Sequence, residues 1–155
     1  MSTDRRGSPG TEAATAADGD DPLASDRGSG GPSVLVVDDD AVIRAFVARA
    51  LTQAGYEIAT AASGREALRV VADDRFRPIV VVTDIEMPSM TGVELAARLL
   101  ALRPNVRVVM MTDDPERAAT ARRHPSLVDR VLDKPLSLGA LIEAVGAVAG
   151  RSAPS

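Results

Sequence analysis

The chain has 155 residues, a formal charge of -4 and a pI near 5.0; it is 45% hydrophobic, only 2% aromatic (Phe46, Tyr56, Phe76) and free of cysteine. That length suits one domain, and the acidic balance with so few rings argues against basic patches and stacking platforms for nucleic acid, leaving proteins and small ions as the expected partners. Without cysteine there are no disulfides, thiolate nucleophiles or Cys-based zinc sites; the one histidine, His124, makes no cluster; and with neither a signal-peptide pattern nor an apolar run near the roughly 18 residues of a membrane span, a cytoplasmic protein without membrane contact is expected.

Residues 1–32 are rich in Gly, Ser, Ala, Asp, Thr and Pro and nearly lack large apolar side chains, so they read as a disordered tail that burial cannot order. Residues 151–155 read as a second short tail, which leaves 33–150 as the folded domain. Val34 to Val37 has the β-branched character of a strand and runs into Asp38, Asp39 and Asp40. Ala41 to Ala54 then puts Ile43, Phe46, Val47, Ala50 and Leu51 on one helical face and stops at Gly55, which suits a left-handed C-terminal cap. Glu57 to Thr60 is a second strand, and Ser63 with Glu66 fits the capping box that opens a second helix. Ile79 to Thr83 is a third strand ending at Asp84, and Thr91 with Glu94 opens a third helix in the same way. Val106 to Met111 is a fourth strand followed by Thr112, and Asp114 with Pro115 supplies an N-cap and a first-turn proline. Leu127 to Leu132 is a fifth strand followed by Lys134 and Pro135, and Ser137 caps a last helix through Ala149.

Strict alternation of near-continuous apolar strands with helices predicts an α/β fold, a (βα)5 doubly wound parallel five-stranded sheet with helices on both faces. Open sheets of this kind bind ligands at the carboxyl ends of their strands. Asp38, Asp39, Asp84, Thr112 and Lys134 are scattered over about a hundred positions yet all follow strands, so they are expected to converge on one rim. Lys134 is the only lysine among eighteen basic residues, a compact charge in a chain that otherwise uses arginine. Clustered carboxylates repel one another unless a cation compensates them, and a sparse all-oxygen set suits magnesium. Beside such an ion, Asp84 can attack phosphorus and become an acyl phosphate, while Thr112 donates a hydrogen bond and Lys134 a charge to the transferred group.

The segments VLVVDDD (34–40), TDIEMPSMTG (83–92), VVMMTD (108–113) and VLDKP (131–135) resemble, in order and spacing, the receiver domain of two-component response regulators. The resemblance covers essentially all of 33–150 and is carried by the four segments together. It implies the flavodoxin-like strand order 2-1-3-4-5, Asp84 as phosphoacceptor, Asp39 as a metal ligand with Asp38 beside it, the Glu86 main-chain carbonyl as a further ligand, and a cis Pro135. The implied partners are a histidine kinase or histidine phosphotransfer protein and a downstream protein target, with the chain a monomer or a phosphorylation-dependent dimer. As no output domain is read after residue 150, a stand-alone, chemotaxis-regulator-like receiver is expected, signalling by protein contact or relaying phosphate. Two residues depart from the family pattern: Val131 stands where an aromatic ring usually switches, and Asp113 where a small residue usually follows the threonine.

Simpler readings apply to several neighbours. Asp40 and Asp114 read as helix N-caps, Met87, Met90, Met110 and Met111 as packing residues, and His124 as an exposed loop side chain. Two rival functions fit parts of the sequence. LVVDDDAV also fits the nucleophile motif of haloacid-dehalogenase-like phosphatases, with Asp38 as nucleophile and Asp40 as acid/base, but Asp113 and Asp114 precede Lys134 against that family's order. A receiver-like interaction module that is never phosphorylated would be favoured by loss of a site residue, and the main ones are present.

Overall fold

The computed structural model describes residues 32–152. Apart from Pro32, the predicted N-terminal tail lies outside the described residues, as do residues 153–155. Five strands, β1 (Ser33–Val37), β2 (Glu57–Ala61), β3 (Val80–Asp84), β4 (Arg107–Thr112) and β5 (Arg130–Asp133), alternate with five helices. These are α1 (Ala41–Gln53), α2 (Gly64–Ala72), α3 (Gly92–Leu102), α4 (Pro115–Arg122) and α5 (Leu138–Ser152). All neighbouring strands pair in parallel, in the order β2-β1-β3-β4-β5. The order reverses at β1 and β3, so the loops after these two strands flank the crevice where such sheets bind ligands.

The period-2 alternation of side chains divides the core into two layers. Val34, Val36, Val80 and Val82 pack with Val47 and Leu51 of α1 and Leu141 and Val145 of α5. Leu35, Val37 and Val81 face the other way, onto Val71 of α2, Leu95 and Leu99 of α3 and Ala121 of α4. With both faces covered, the central strands carry near-continuous apolar runs, and Val34–Val37 and Val80–Val82 are fully buried.

The helix boundaries follow their local chemistry. Asp40 caps α1 by accepting from the Val42 and Ile43 amides, and Gly55 just past its end has φ 107°. Thr91 and Glu94 form a complete capping box on α3, whereas at α2 the Glu66 carboxylate accepts from the Ala62 amide instead of the Ser63 amide. Two boundaries differ from expectation by more than one residue. The fifth strand starts at Arg130, because the Leu127 and Val128 amides both donate to the His124 carbonyl and hold these residues in a turn. The last helix continues through Gly150 to Ser152, into the tail predicted over 151–155; glycine without positive φ weakens a helix but does not end it.

Candidate functional site

The rim begins with Asp38, which leaves β1 fully buried. Its amide donates to the Ala61 carbonyl at 3.2 Å, its Oδ1 accepts from the Asp40 amide at 2.9 Å, and Arg44 of α1 donates to its carbonyl at 2.7 Å. The three bonds hold the turn from strand to helix and fix the carboxylate against the sheet. Its second oxygen, Oδ2, is buried and accepts no hydrogen bond. Asp39, next in the chain, is exposed at the mouth of the same turn.

Asp84 closes β3 and is buried. The loop after it folds back tightly: the Glu86 amide donates to Asp84 Oδ1 at 3.2 Å and the Gly92 amide to the Ile85 carbonyl at 2.7 Å. A Cβ on Gly92 would sit 2.5 Å from the Asp84 carbonyl oxygen, so the close return of the chain requires glycine there. Thr112 ends β4 almost fully buried, and its hydroxyl oxygen accepts from the Asp114 amide at 3.0 Å, leaving its proton for an acceptor at the rim. Lys134 is fixed from behind by the hydrogen bond that its amide donates to the Thr112 carbonyl at 2.8 Å, and the Lys134–Pro135 peptide after it is cis. Its Nζ lies 3.3 Å from Asp84 Oδ2 and 3.6 Å from Asp38 Oδ2.

One ammonium therefore serves two carboxylates. Burial pushes the Asp38 carboxyl above its ordinary value, and the Asp40 amide and Lys134, opposed by repulsion from Asp84 and Asp39, offset only part of that rise. For Lys134 burial acts to lower the value, but attraction to Asp84 and Asp38 prevails and raises it, so the residue stays charged. Asp38, Asp39 and Asp84 each offer an oxygen within 4.8 Å of the other two. Three hard oxygen donors, one of them buried without a hydrogen bond, fit a divalent cation such as magnesium.

Glu86 turns its side chain away from the cluster, to Arg117 of α4, which also approaches Asp114 at 3.4 Å. Arg117 thus ties the start of α4 to the loop after Asp84. The three-residue spacing of Asp114 and Arg117 was visible in the sequence, but the long-range partner was not. Periodicity places Phe46 on the buried face of α1, but it is 42% exposed, and Val42, near the start of that helix, 76%. Val131 is half-buried against the α2–α4 layer beside a cavity of about 410 Å³ lined by Arg122, Val128 and Arg130. Asp113 is exposed beside Thr112; Met110 and Met111 are fully buried, Met87 and Met90 pack against the core, and His124 is exposed.

Residues 34–146 match the family model for the response regulator receiver domain. The chain is 46% identical over 87 residues to a protein-glutamate methylesterase/protein-glutamine glutaminase of Caulobacter vibrioides, covering 56% of this chain and 24% of that one. It is 37% identical over 129 residues to the transcriptional regulatory protein PrrA of Mycobacterium tuberculosis, covering 81% of this chain and 53% of the relative. This chain therefore spans about half of PrrA and a quarter of the methylesterase. The Vibrio cholerae chemotaxis protein CheY4 superposes with a TM-score of 0.68 at 32% identity, covering 77% of this chain and 99% of that one.

Proposed function

Because the chain belongs to the response regulator receiver domain family, we propose that it is a phosphorylation switch whose acceptor is Asp84. The observation that carries this reading is the Lys134 ammonium shared between Asp84 and Asp38, whose buried Oδ2 accepts no hydrogen bond. Asp38, Asp39, Asp84 and the Glu86 main-chain carbonyl would hold magnesium, which when bound neutralises phosphate oxygens and draws the phosphoryl group to the rim. An Asp84 carboxylate oxygen attacks phosphorus as the bond from phosphorus to the donor's imidazole nitrogen breaks; with the donor ring protonated on its other nitrogen, the products are an acyl phosphate and a neutral histidine. Lys134 carries charge for the transferred oxygens, and the Thr112 hydroxyl donates to one of them. The donor is a histidine kinase or phosphotransfer protein in the cytoplasm, the compartment typical of the family, and the phosphorylated form signals by changed contacts with a protein target.

An apolar surface beside the rim supports a protein donor. Val42 and Phe46 of α1 are exposed, as is Leu138 at the start of α5, which packs beside α1. No helix among the described residues is long and apolar enough to cross a membrane. Nothing in the described sheet favours the phosphatase reading through Asp38, since no strand beyond five and no cap are present there.

Acetyl phosphate tests the reading without a partner protein. Intact mass should gain one phosphoryl group in the presence of magnesium, none in chelator and none in Asp84→Asn. An unmodified wild type under all conditions would refute the switch in favour of a receiver-like interaction module.

A further inference from the structure

Helices α2 and α3 lie side by side on one face of the sheet, and an open groove of about 560 Å³ runs between them. Its apolar lining comes from Leu68 and Ala72 of α2, Ala101 and Leu102 of α3, and Met90 of the loop before α3. Leu102 is 48% exposed. Met90 is seated tightly over the start of α2, where a Cβ on Gly64 would meet its Sδ at 2.7 Å. Arg103 closes the far end, donating from Nε to the Val71 carbonyl and from Nη2 to Asp74, so the two helices are clamped and the groove is preformed.

Three further arginines line the groove: Arg65 and Arg69, one turn apart on α2, and Arg98 on α3. All are exposed, and none has an ion pair or hydrogen bond among the described residues. Arg75, Arg77, Arg103, Arg107, Arg117 and Arg130, by contrast, all reach carboxylates. Arg49, Arg122 and Arg123 are likewise exposed without a partner among the described residues but lie outside the groove, so what sets Arg65, Arg69 and Arg98 apart is that all three surround one concave apolar surface. An exposed arginine alone needs no explanation, but an apolar groove with an unmatched cationic rim has the anatomy of a recognition surface.

We infer that this groove docks an acidic amphipathic helix of a partner protein. Apolar side chains spaced three and four residues apart would fill the space over Leu68, Met90 and Leu102, and carboxylates one turn apart would accept the forked donors of Arg65, Arg69 and Arg98. The surface lies across the sheet from α1 and α5, so an occupant here leaves the proposed donor surface open, and the inference does not depend on the chemistry of Asp84.

The test is an amide-resolved NMR titration of the full chain with a synthetic helix of Ala, Leu and Glu, and with its counterpart carrying Lys at every Glu. The acidic peptide should shift the Leu68, Met90 and Leu102 amides and bind at least about tenfold tighter than the basic one, a difference of ~1.4 kcal/mol. The double variant Arg65→Glu, Arg98→Glu exchanges exposed side chains and should keep a native spectrum while reversing the preference. Equal binding of the two peptides, shifts mapped away from α2 and α3, or a preference that survives the reversal would overturn the inference. So would binding that appears only after Asp18, Asp20, Asp21 and Asp26 are changed to Asn, which would make the chain's own N-terminal segment the occupant. Peptide-free shifts of the same amides with protein concentration would make it a second copy and likewise overturn it.

Discussion

Burial holds the Asp38 carboxyl above its ordinary value of 3.8, so the folded protein binds this proton more tightly than the unfolded chain does. Ionisation of Asp38 therefore costs stability as pH rises from near 3.8 through the raised folded value, and the loss persists above it. Asp38→Asn removes the charge while keeping an oxygen to accept the Asp40 amide. In chelator at neutral pH its melting temperature should exceed that of the wild type by a few degrees, the scale of about 1 kcal/mol in a domain of this size. The gain should shrink as pH approaches 4, and magnesium should stabilise the wild type more than the variant. A variant that melts lower in chelator would mean that the bond of Asp38 to Lys134 outweighs its burial. In the sequence this residue was legible as part of an acidic triplet, but three adjacent aspartates look alike there. Only the fold separates buried Asp38 from exposed Asp39 and from Asp40, which is used up as a helix cap.

At the scale of elements, α1 places an exposed apolar patch beside the acidic rim. Its inner face is sealed by Val47, Ala50 and Leu51, while Val42 and Phe46 stay exposed close to the turn that carries Asp39. Phe46→Asp should leave the rate of labelling by acetyl phosphate within about twofold, because a small donor needs no docking surface. Transfer from a phosphorylated histidine phosphotransfer domain that labels the wild type should fall at least about tenfold, the loss of ~1.4 kcal/mol of contact. Equal losses with both donors would indicate a damaged rim and refute the docking role. The elements themselves were mostly legible, because capping residues and Gly55 act locally. The start of β5 was not, because the turn at His124 is set by main-chain bonds that an apolar run does not reveal. Arg117 was missed for a similar reason, its Glu86 partner lying on a loop that only the sheet brings near.

For the whole molecule, one parallel sheet sealed on both faces by apolar side chains brings β1, β3, β4 and β5 to a common rim, and each delivers one part of the site. Strand alternation in the sequence carried that convergence, since parallel strands joined by helices all end on the same side. What it did not carry was which surfaces stay open, because exposure depends on how neighbouring helices pack. The central claim, that Asp84 and not Asp38 takes the phosphoryl group, is tested most directly by trapping the acyl phosphate. After labelling with acetyl phosphate and magnesium, borohydride reduction and peptide mass mapping should find homoserine at position 84 alone. Homoserine at position 38, or none at either, would contradict it.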